Sequence, residues 1–519
     1  MRFFKGFLLV LIMASLSFFP AQAFAKKQTL VYGTTEKVTD MDPASSYDFH
    51  TWEIFYNIYQ GLLRYPPGKT NLVPGLAKSY TISKDGKEYT FQLRKGLKFT
   101  DGTPFDANAV KWSIDRVIAL KGDPSWLVTD FVDHVDVVSK YAVKFVLKNP
   151  VAYFPSLVAS VPYYPVNPNV YPKDKIVRDP SELKGGKLVG LGPYKAVSFK
   201  RDQEIILEAN PSFYGQKPKN DRVVIRYFAD ATTMRLALVK GELDFAFKTL
   251  NPSDINDLQK SPKLKTIKAQ GPYIRYLCFL TDTPPFNDKA LRQALAASID
   301  RKALLKKVFL GQNEPLFSMV PMGMWSHTDS FKTAMGDGNV ELAKKLLASK
   351  GFNENNKFTF DLWYTPSHYG DTEVDMAAVL KAQFEATGVM KVNVKSAEWA
   401  SYKDNWKNKV MPVWLLGWYP DYIDPDNYTN AFAGTSGSIG MGIHFSSPLW
   451  DKLFVDGQTI TNEKNRRAVY EQIQSMWADD VPTAPIFQGT LYLFSQKNID
   501  GIMLSPTLQF NYGPIHRVK

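Results

Sequence analysis

Three aspartates, four aromatic residues and two prolines fall within the twelve residues Gly417-Trp-Tyr-Pro-Asp-Tyr-Ile-Asp-Pro-Asp-Asn-Tyr428. The aromatics supply apolar contact. Asp421 offers a negative charge to a cation such as an α-amino group. The prolines fix φ and lower the ordering cost of binding. Asp424 and Asp426 flank Pro425 and, with Asn427, are suited to fixing the loop through local turn hydrogen bonds. The three aspartates do not make a calcium loop: counting from Asp421, the sixth position holds Asp426 where glycine is needed, and the twelfth holds Phe432 where a bidentate glutamate belongs. No metal and no cofactor are expected.

A loop of this kind has to be held at a strand end, and the short apolar run Val413-Trp-Leu-Leu416 before it reads as a buried strand. Other strands are expected at Thr29–Tyr32, Tyr141–Leu147, Glu204–Glu208, Arg222–Tyr227, Leu243–Phe247, Phe358–Trp363 and Val392–Lys395. The alternation from Tyr80 to Leu93 around Asp85-Gly86 signals a hairpin. Helical spacing predicts helices over Trp52–Leu63, Asp106–Arg116, Ala231–Lys240, Thr372–Thr387 and Asn465–Asp480, and one long helix over Asp288–Phe309. Gly434–Gly440 reads as a flexible connection at the rim of a cleft. Strands and helices mix throughout, which predicts an α/β or α+β chain with a lobe junction near Gln270.

The first 25 residues have the pattern of a secretory leader: Arg2 and Lys5, an apolar stretch from Phe7 to Pro20, then small-residue cleavage sites at Ala21-Gln-Ala23 or Ala23-Phe-Ala25. No cysteine lies near the cleavage site, so no lipid anchor is expected, and an exported, soluble, periplasmic protein is. The remaining residues, about 490, are too many for one core and predict two or more lobes. The formal charge is +12, but the lysines are scattered and form no stripe, which argues against nucleic acid. Aromatic residues make up 14% of the chain, an excess suited to a ligand cleft in which Trp325, Trp399 and Trp418 are candidates. The single cysteine, Cys278, sits in an apolar strand pattern and is expected to be buried and inert. No Gly-x-Ser-x-Gly elbow, His-Glu-x-x-His helix or phosphate loop is present, and the six histidines show no ligand spacing, so no enzyme is expected.

Several segments, in order, resemble the family 5 extracellular solute-binding proteins of ABC importers, the dipeptide and oligopeptide binders. They include Met41-Asp-Pro43, Leu72-Val-Pro-Gly-Leu-Ala77, Phe99-Thr-Asp-Gly-Thr-Pro-Phe-Asp-Ala107, Glu208-Ala-Asn-Pro-Ser-Phe-Tyr-Gly215, Leu238-Val-Lys-Gly-Glu-Leu-Asp244, Arg292-Gln-Ala-Leu295 and the loop Gly417–Tyr428. The resemblance implies a two-lobed α/β periplasmic-binding-protein fold of the large, cluster C type. Lobe one would span 26–267 with an inserted subdomain at about 64–180. Lobe two would span 268–488, and 489–519 would return to lobe one.

The resemblance also implies peptide capture between closing lobes and delivery to a membrane permease with its ATPase subunits, the receptor acting as a monomer. The peptide would lie as an added strand between Tyr47, Asp48 and Phe49 in lobe one and Gly417, Trp418, Tyr419 and Asp421 in lobe two, with Asp421 on its α-ammonium. Dipeptide binders of the family carry an arginine after the strand matching Phe358–Trp363. Here that segment, Tyr364-Thr-Pro-Ser-His-Tyr-Gly370, has none, so strict dipeptide specificity is not expected, and His368 is the candidate contact there. The alternatives are the same receptor for an oligosaccharide, a nickel complex or an opine-like metabolite, and an exported hydrolase.

Overall fold

The run Ile274–Phe279, apolar but for Arg275 and buried at every residue, forms the end of a strand that organises the molecule. Strands buried on both faces read as near-continuous apolar runs, and this one lies mid-sheet. It is part of the 16-residue strand Leu264–Phe279, paired antiparallel along most of its length with Thr483–Gln496. The computed structural model describes residues 28–366, 368–370 and 372–518, so the leader expected at 1–25 lies outside the described residues.

The two long strands sit at the centre of an eleven-stranded sheet that runs through both lobes. On one side follow Phe245–Phe247, Thr29–Thr34, Arg222–Tyr227, Glu204–Ala209 and Tyr194–Lys200; on the other follow Val413–Trp418, Phe358–Tyr364 and Met390–Ser396; the short Glu314–Pro315 pairs with Thr483–Gln496 off this path. Two large apolar clusters flank the centre. The first draws on residues 30–247 and 491–515 with Tyr422, and the second on residues between 274 and 487. A separate four-stranded antiparallel sheet, Ala77–Ile82, Glu88–Leu93, Ala142–Leu147 and Val132–Ser139, packs into the first cluster and contains the hairpin expected at Asp85-Gly86. The protein is thus two-lobed, with mixed α/β content.

Several helix starts follow side-chain caps. Asp106 accepts from the Asn108 amide and opens Ala107–Leu120. The helix expected over Trp52–Leu63 instead spans Phe49–Ile58, because Asp48 caps it earlier and Tyr59 is already extended. The long helix expected over Asp288–Phe309 is two helices, Lys289–Ser298 and Arg301–Phe309. Asp300 leaves helical geometry and accepts from the Ala303 amide at 2.8 Å, which restarts the helix. The stretch read as a flexible connection, 434–440, is mostly the short helix Thr435–Gly440, tied back by Ser438 to the Phe445 carbonyl at 2.5 Å.

The junction near Gln270 is no loop. Both strands pass through it, and the register slips between Gln270 and Ile274. Gly489 lies there because the Tyr273 ring covers it: a Cβ on Gly489 would stand 1.7 Å from Tyr273 Cζ. Gly489→Ala is therefore expected to lower stability by about 1–3 kcal/mol, the cost of overpacking. In a Tyr273→Ala background the same change should cost little, and additive denaturation free energies in the double variant would count against this contact.

Candidate functional site

The loop after Val413–Trp418 is wedged between the lobes. Tyr422 belongs to the first apolar cluster and Tyr428 to the second, although the two lie six residues apart. Its three aspartates have separate tasks. Asp424 opens the short helix Pro425–Tyr428 and forms a two-pronged ion pair with Arg466, at 2.7 and 2.5 Å. Asp426 accepts from the Tyr422 hydroxyl at 2.9 Å, and burial beside Asp424 pushes its carboxyl up to about 6.

Asp421 is different. It is 7% exposed, and among the described residues no cation pairs with it. Its company is neutral: the Asn427 amide at 3.4 Å, and the Tyr47 hydroxyl reaching across from the first lobe. Burial pushes its carboxyl up to about 7, against the weaker pull of those two donors. Asn427 also accepts from the Asp421 amide at 3.1 Å and from the Trp418 indole at 3.0 Å, so one side chain sets the shape of the loop.

Around Asp421 the lobes meet through aromatic rings. Phe49 lies 5.1 Å from Tyr419, and Tyr419 stacks on Tyr273 at 5.0 Å. Tyr47, Phe49, Tyr419 and Asp421 thus come together as expected from the sequence. Asp48 shares their segment, but its carboxylate is engaged with the Thr51 amide and the Thr39 hydroxyl, so it caps a helix. Trp418 is held in the loop by Asn427 and meets Phe432 edge-on at 5.1 Å.

The remaining candidates divide between two places. His368 lies flat on Trp399, ring centres 3.7 Å apart, and beside Tyr369, whose hydroxyl donates to the Gly417 carbonyl at 3.3 Å. Trp325 stands elsewhere, against Arg466, which also lies over Tyr153 of the first lobe.

Sequence reasoning missed a cation at this site. Arg275 lies opposite Gly417 on the neighbouring strand, and its guanidinium stacks on Tyr369 at 3.7 Å. The segment lacking an arginine is thus furnished with one from a different strand. The only signal was a charged residue inside the apolar run Tyr273–Leu280.

A second lobe-to-lobe contact lies at Tyr153. Its ring stacks on Tyr422 at 5.1 Å and 8°, Arg466 covers it at 5.5 Å, and the neighbouring Ala152 amide donates to the Gln458 carbonyl at 2.7 Å. That carbonyl belongs to the last turn of Pro448–Thr459 and has no partner within its own helix.

Two lobes share these strands and meet through aromatic rings around a buried carboxyl that has no cation beside it among the described residues. The family model for bacterial extracellular solute-binding proteins, family 5 (middle region), matches residues 71–440, and the chain belongs to that family. It is 27% identical over 98% of its length to the probable D,D-dipeptide-binding periplasmic protein DdpA of Escherichia coli K12, covering 97% of that protein. It is 28% identical over 96% of its length to heme-binding protein A of Haemophilus influenzae, covering 94% of it. The crystal structure of a dipeptide-binding protein from Pseudoalteromonas sp. SM9913 with Met-Leu superposes with a TM-score of 0.79, at 23% identity, over 95% of this chain and 100% of that one. Among the described residues no helix is long and apolar enough to cross a membrane.

Tyr153→Ala removes the stack on Tyr422 and the ring under Arg466. Small-angle scattering of the ligand-free variant is expected to give a larger radius of gyration than the wild type. Equal radii, with both proteins folded by circular dichroism, would show that the stack does not hold the lobes.

Proposed function

We propose that this chain is the exported, periplasmic binding component of an ABC importer, and that it captures short peptides and presents the closed form to a membrane permease. It binds without chemistry; ATP is hydrolysed by the partner subunits. The observation that carries the reading is the Asp421 carboxylate, buried where the lobes meet and lacking a cation among the described residues. Leaving such a charge unpaired is costly, and a ligand ammonium removes that cost. Backbone pairing to the loop that follows Val413–Trp418 would supply affinity with little regard for side chains, which supports peptides as the ligand class. The relatives whose names denote peptide binding support it too.

The ligand-free carboxyl, raised to about 7, carries a proton below that pH. An ammonium selects the ionised form and expels the proton. Affinity for an unmodified peptide should therefore rise with pH from about 5 to 7, approaching tenfold per unit, and level off above. The same shift makes the ligand-free fold lose stability as pH climbs from about 4 to 7, since there the native state holds the proton more tightly than the unfolded chain does. Asp421→Asn is expected to abolish the pH slope and to weaken peptide binding by roughly 2–5 kcal/mol. Calorimetric titrations at several pH values check both, and unchanged affinity in the variant removes Asp421 from the site.

A further inference from the structure

The positive charge of this chain is not shared between the lobes. Residues 26–267 and 489–519 hold 38 lysines and arginines against 27 aspartates and glutamates, whereas 268–488 hold 23 against 24. The whole excess beyond the first 25 residues therefore belongs to the first lobe. A surface of one sign draws anions towards it. Peptide capture at Asp421, on the other lobe, makes no use of that charge.

An open pocket of about 200 Å³ lies in this lobe, between the turn after Glu88–Leu93 and the segment after Glu204–Ala209. Leu97, Lys98, Ser212, Phe213 and Tyr214 line it. Asn210 fixes its wall: the side chain donates to the Gly192 carbonyl and accepts from the Ser212 amide, both at 3.0 Å. The Tyr214 hydroxyl is buried with no hydrogen-bond partner among the described residues. Two cations act on that hydroxyl, Arg64 and Arg94. The Arg94 guanidinium lies 5.2 Å from the Tyr214 ring centre and gives its Nε to the Gly75 carbonyl at 2.7 Å, which leaves both Nη groups without a hydrogen-bond partner among the described residues. Lys217 donates to the Pro211 and Phe213 carbonyls and so engages two main-chain oxygens that would repel an anion beside the pocket. No carboxylate pairs with Arg64, Arg94, Lys98 or Lys217 among the described residues. Like charges gathered around a buried, unused donor are unfavourable, and a single anion relieves both costs.

We propose that this pocket is a second binding site, separate from the peptide cleft, and that it takes a phosphate ester. A tetrahedral oxyanion has oxygens enough to accept from the Tyr214 hydroxyl, the Arg94 fork and Lys98 at the same time, and a planar guanidinium matches two phosphate oxygens. A carboxylate brings one charge and two oxygens, too few for three cations and a hydroxyl. Leu97 and Phe213 give the alcohol side of the ester an apolar wall, which a bare inorganic ion would leave unused. The pocket shares no lining residue with Tyr47–Phe49 or with the loop Gly417–Tyr428, so both ligands are accommodated together. A soluble phosphate ester and the headgroup of an anionic phospholipid present the same group to it.

The test titrates the full chain with glycerol 3-phosphate by calorimetry at constant ionic strength, with sodium acetate as the control anion. Saturable binding of one equivalent of the ester is expected, and none of acetate. Tyr214→Phe removes a hydroxyl that holds nothing in the fold, and Lys98→Glu changes an exposed side chain. Each should weaken the ester about tenfold or more. Lys84→Glu makes the same charge change at the exposed far end of the hairpin and should stay within about twofold of the wild type. Flotation with vesicles of phosphatidylglycerol and phosphatidylcholine, against phosphatidylcholine alone, separates the sources. Flotation with the anionic vesicles that is lost in Tyr214→Phe assigns the group to a lipid headgroup; ester binding without flotation assigns it to a soluble ester. Absence of both overturns the site. Equal weakening by Lys84→Glu and Lys98→Glu, or binding untouched by Tyr214→Phe, shows a diffuse charge effect and overturns it as well.

Discussion

A carboxylate taken out of water without a cation is the constraint on which the rest of this structure turns. Asp421 is held in that state by neutral donors, and each donor comes from an element fixed by something else. Asn427 is held by the short helix that Asp424 opens, and Asp424 is locked to Arg466 on the helix Glu463–Asp480. Tyr47 precedes a helix that Asp48 caps. The loop is therefore rigid before any ligand arrives, so little ordering entropy remains to be lost on capture. The surrounding capped helices and paired arginines keep the loop from turning this carboxyl out to water, so burial is relieved by taking up a proton or by a ligand cation.

Much of this was legible in the sequence because it is local. The apolar run before Gly417, the hairpin at Asp85-Gly86 and the density of aspartate, proline and aromatic residues in 417–428 act over a few residues, and the structure keeps them. Where the reading failed, the deciding contacts were either capping bonds or distant partners. The apolar periodicity of Asp288–Phe309 runs on unbroken, yet Asp300 prefers a local hydrogen bond and splits the helix. Arg275 looked like one charge inside a strand. Its meaning depends on strand register with Gly417 and on Tyr369, some ninety residues away along the chain. Asp424 read as a turn former, and that reading holds. Its second task, pairing with Arg466, needs a helix forty-two residues later.

Aromatic residues hold the lobes together at two separate places, and the two differ in kind. Around Tyr419 the rings border the buried carboxylate, so they line space that a ligand would share. At Tyr153 the stack is flat, covered by a guanidinium and backed by a main-chain hydrogen bond, with no charge left open. Dispersion and cation–π contact at the second place act whatever fills the first. Closure in this molecule thus has one component set by the ligand and another set by the chain itself.

The sheet of the first lobe has a consequence for the order of events during synthesis. The strand Thr29–Thr34 pairs with Arg222–Tyr227 and Phe245–Phe247, and the latter pairs with residues 493–495 of the last long strand. The apolar cluster of that lobe also includes Phe510, Tyr512 and Ile515. Its N-terminal portion therefore cannot complete its sheet or its core until almost the whole chain exists. Contacts spanning this much sequence carry a heavy loop-closure cost and form late. A nascent chain built this way stays open to unfolding until its final residues arrive, the condition in which a polypeptide is still able to be threaded through a narrow channel.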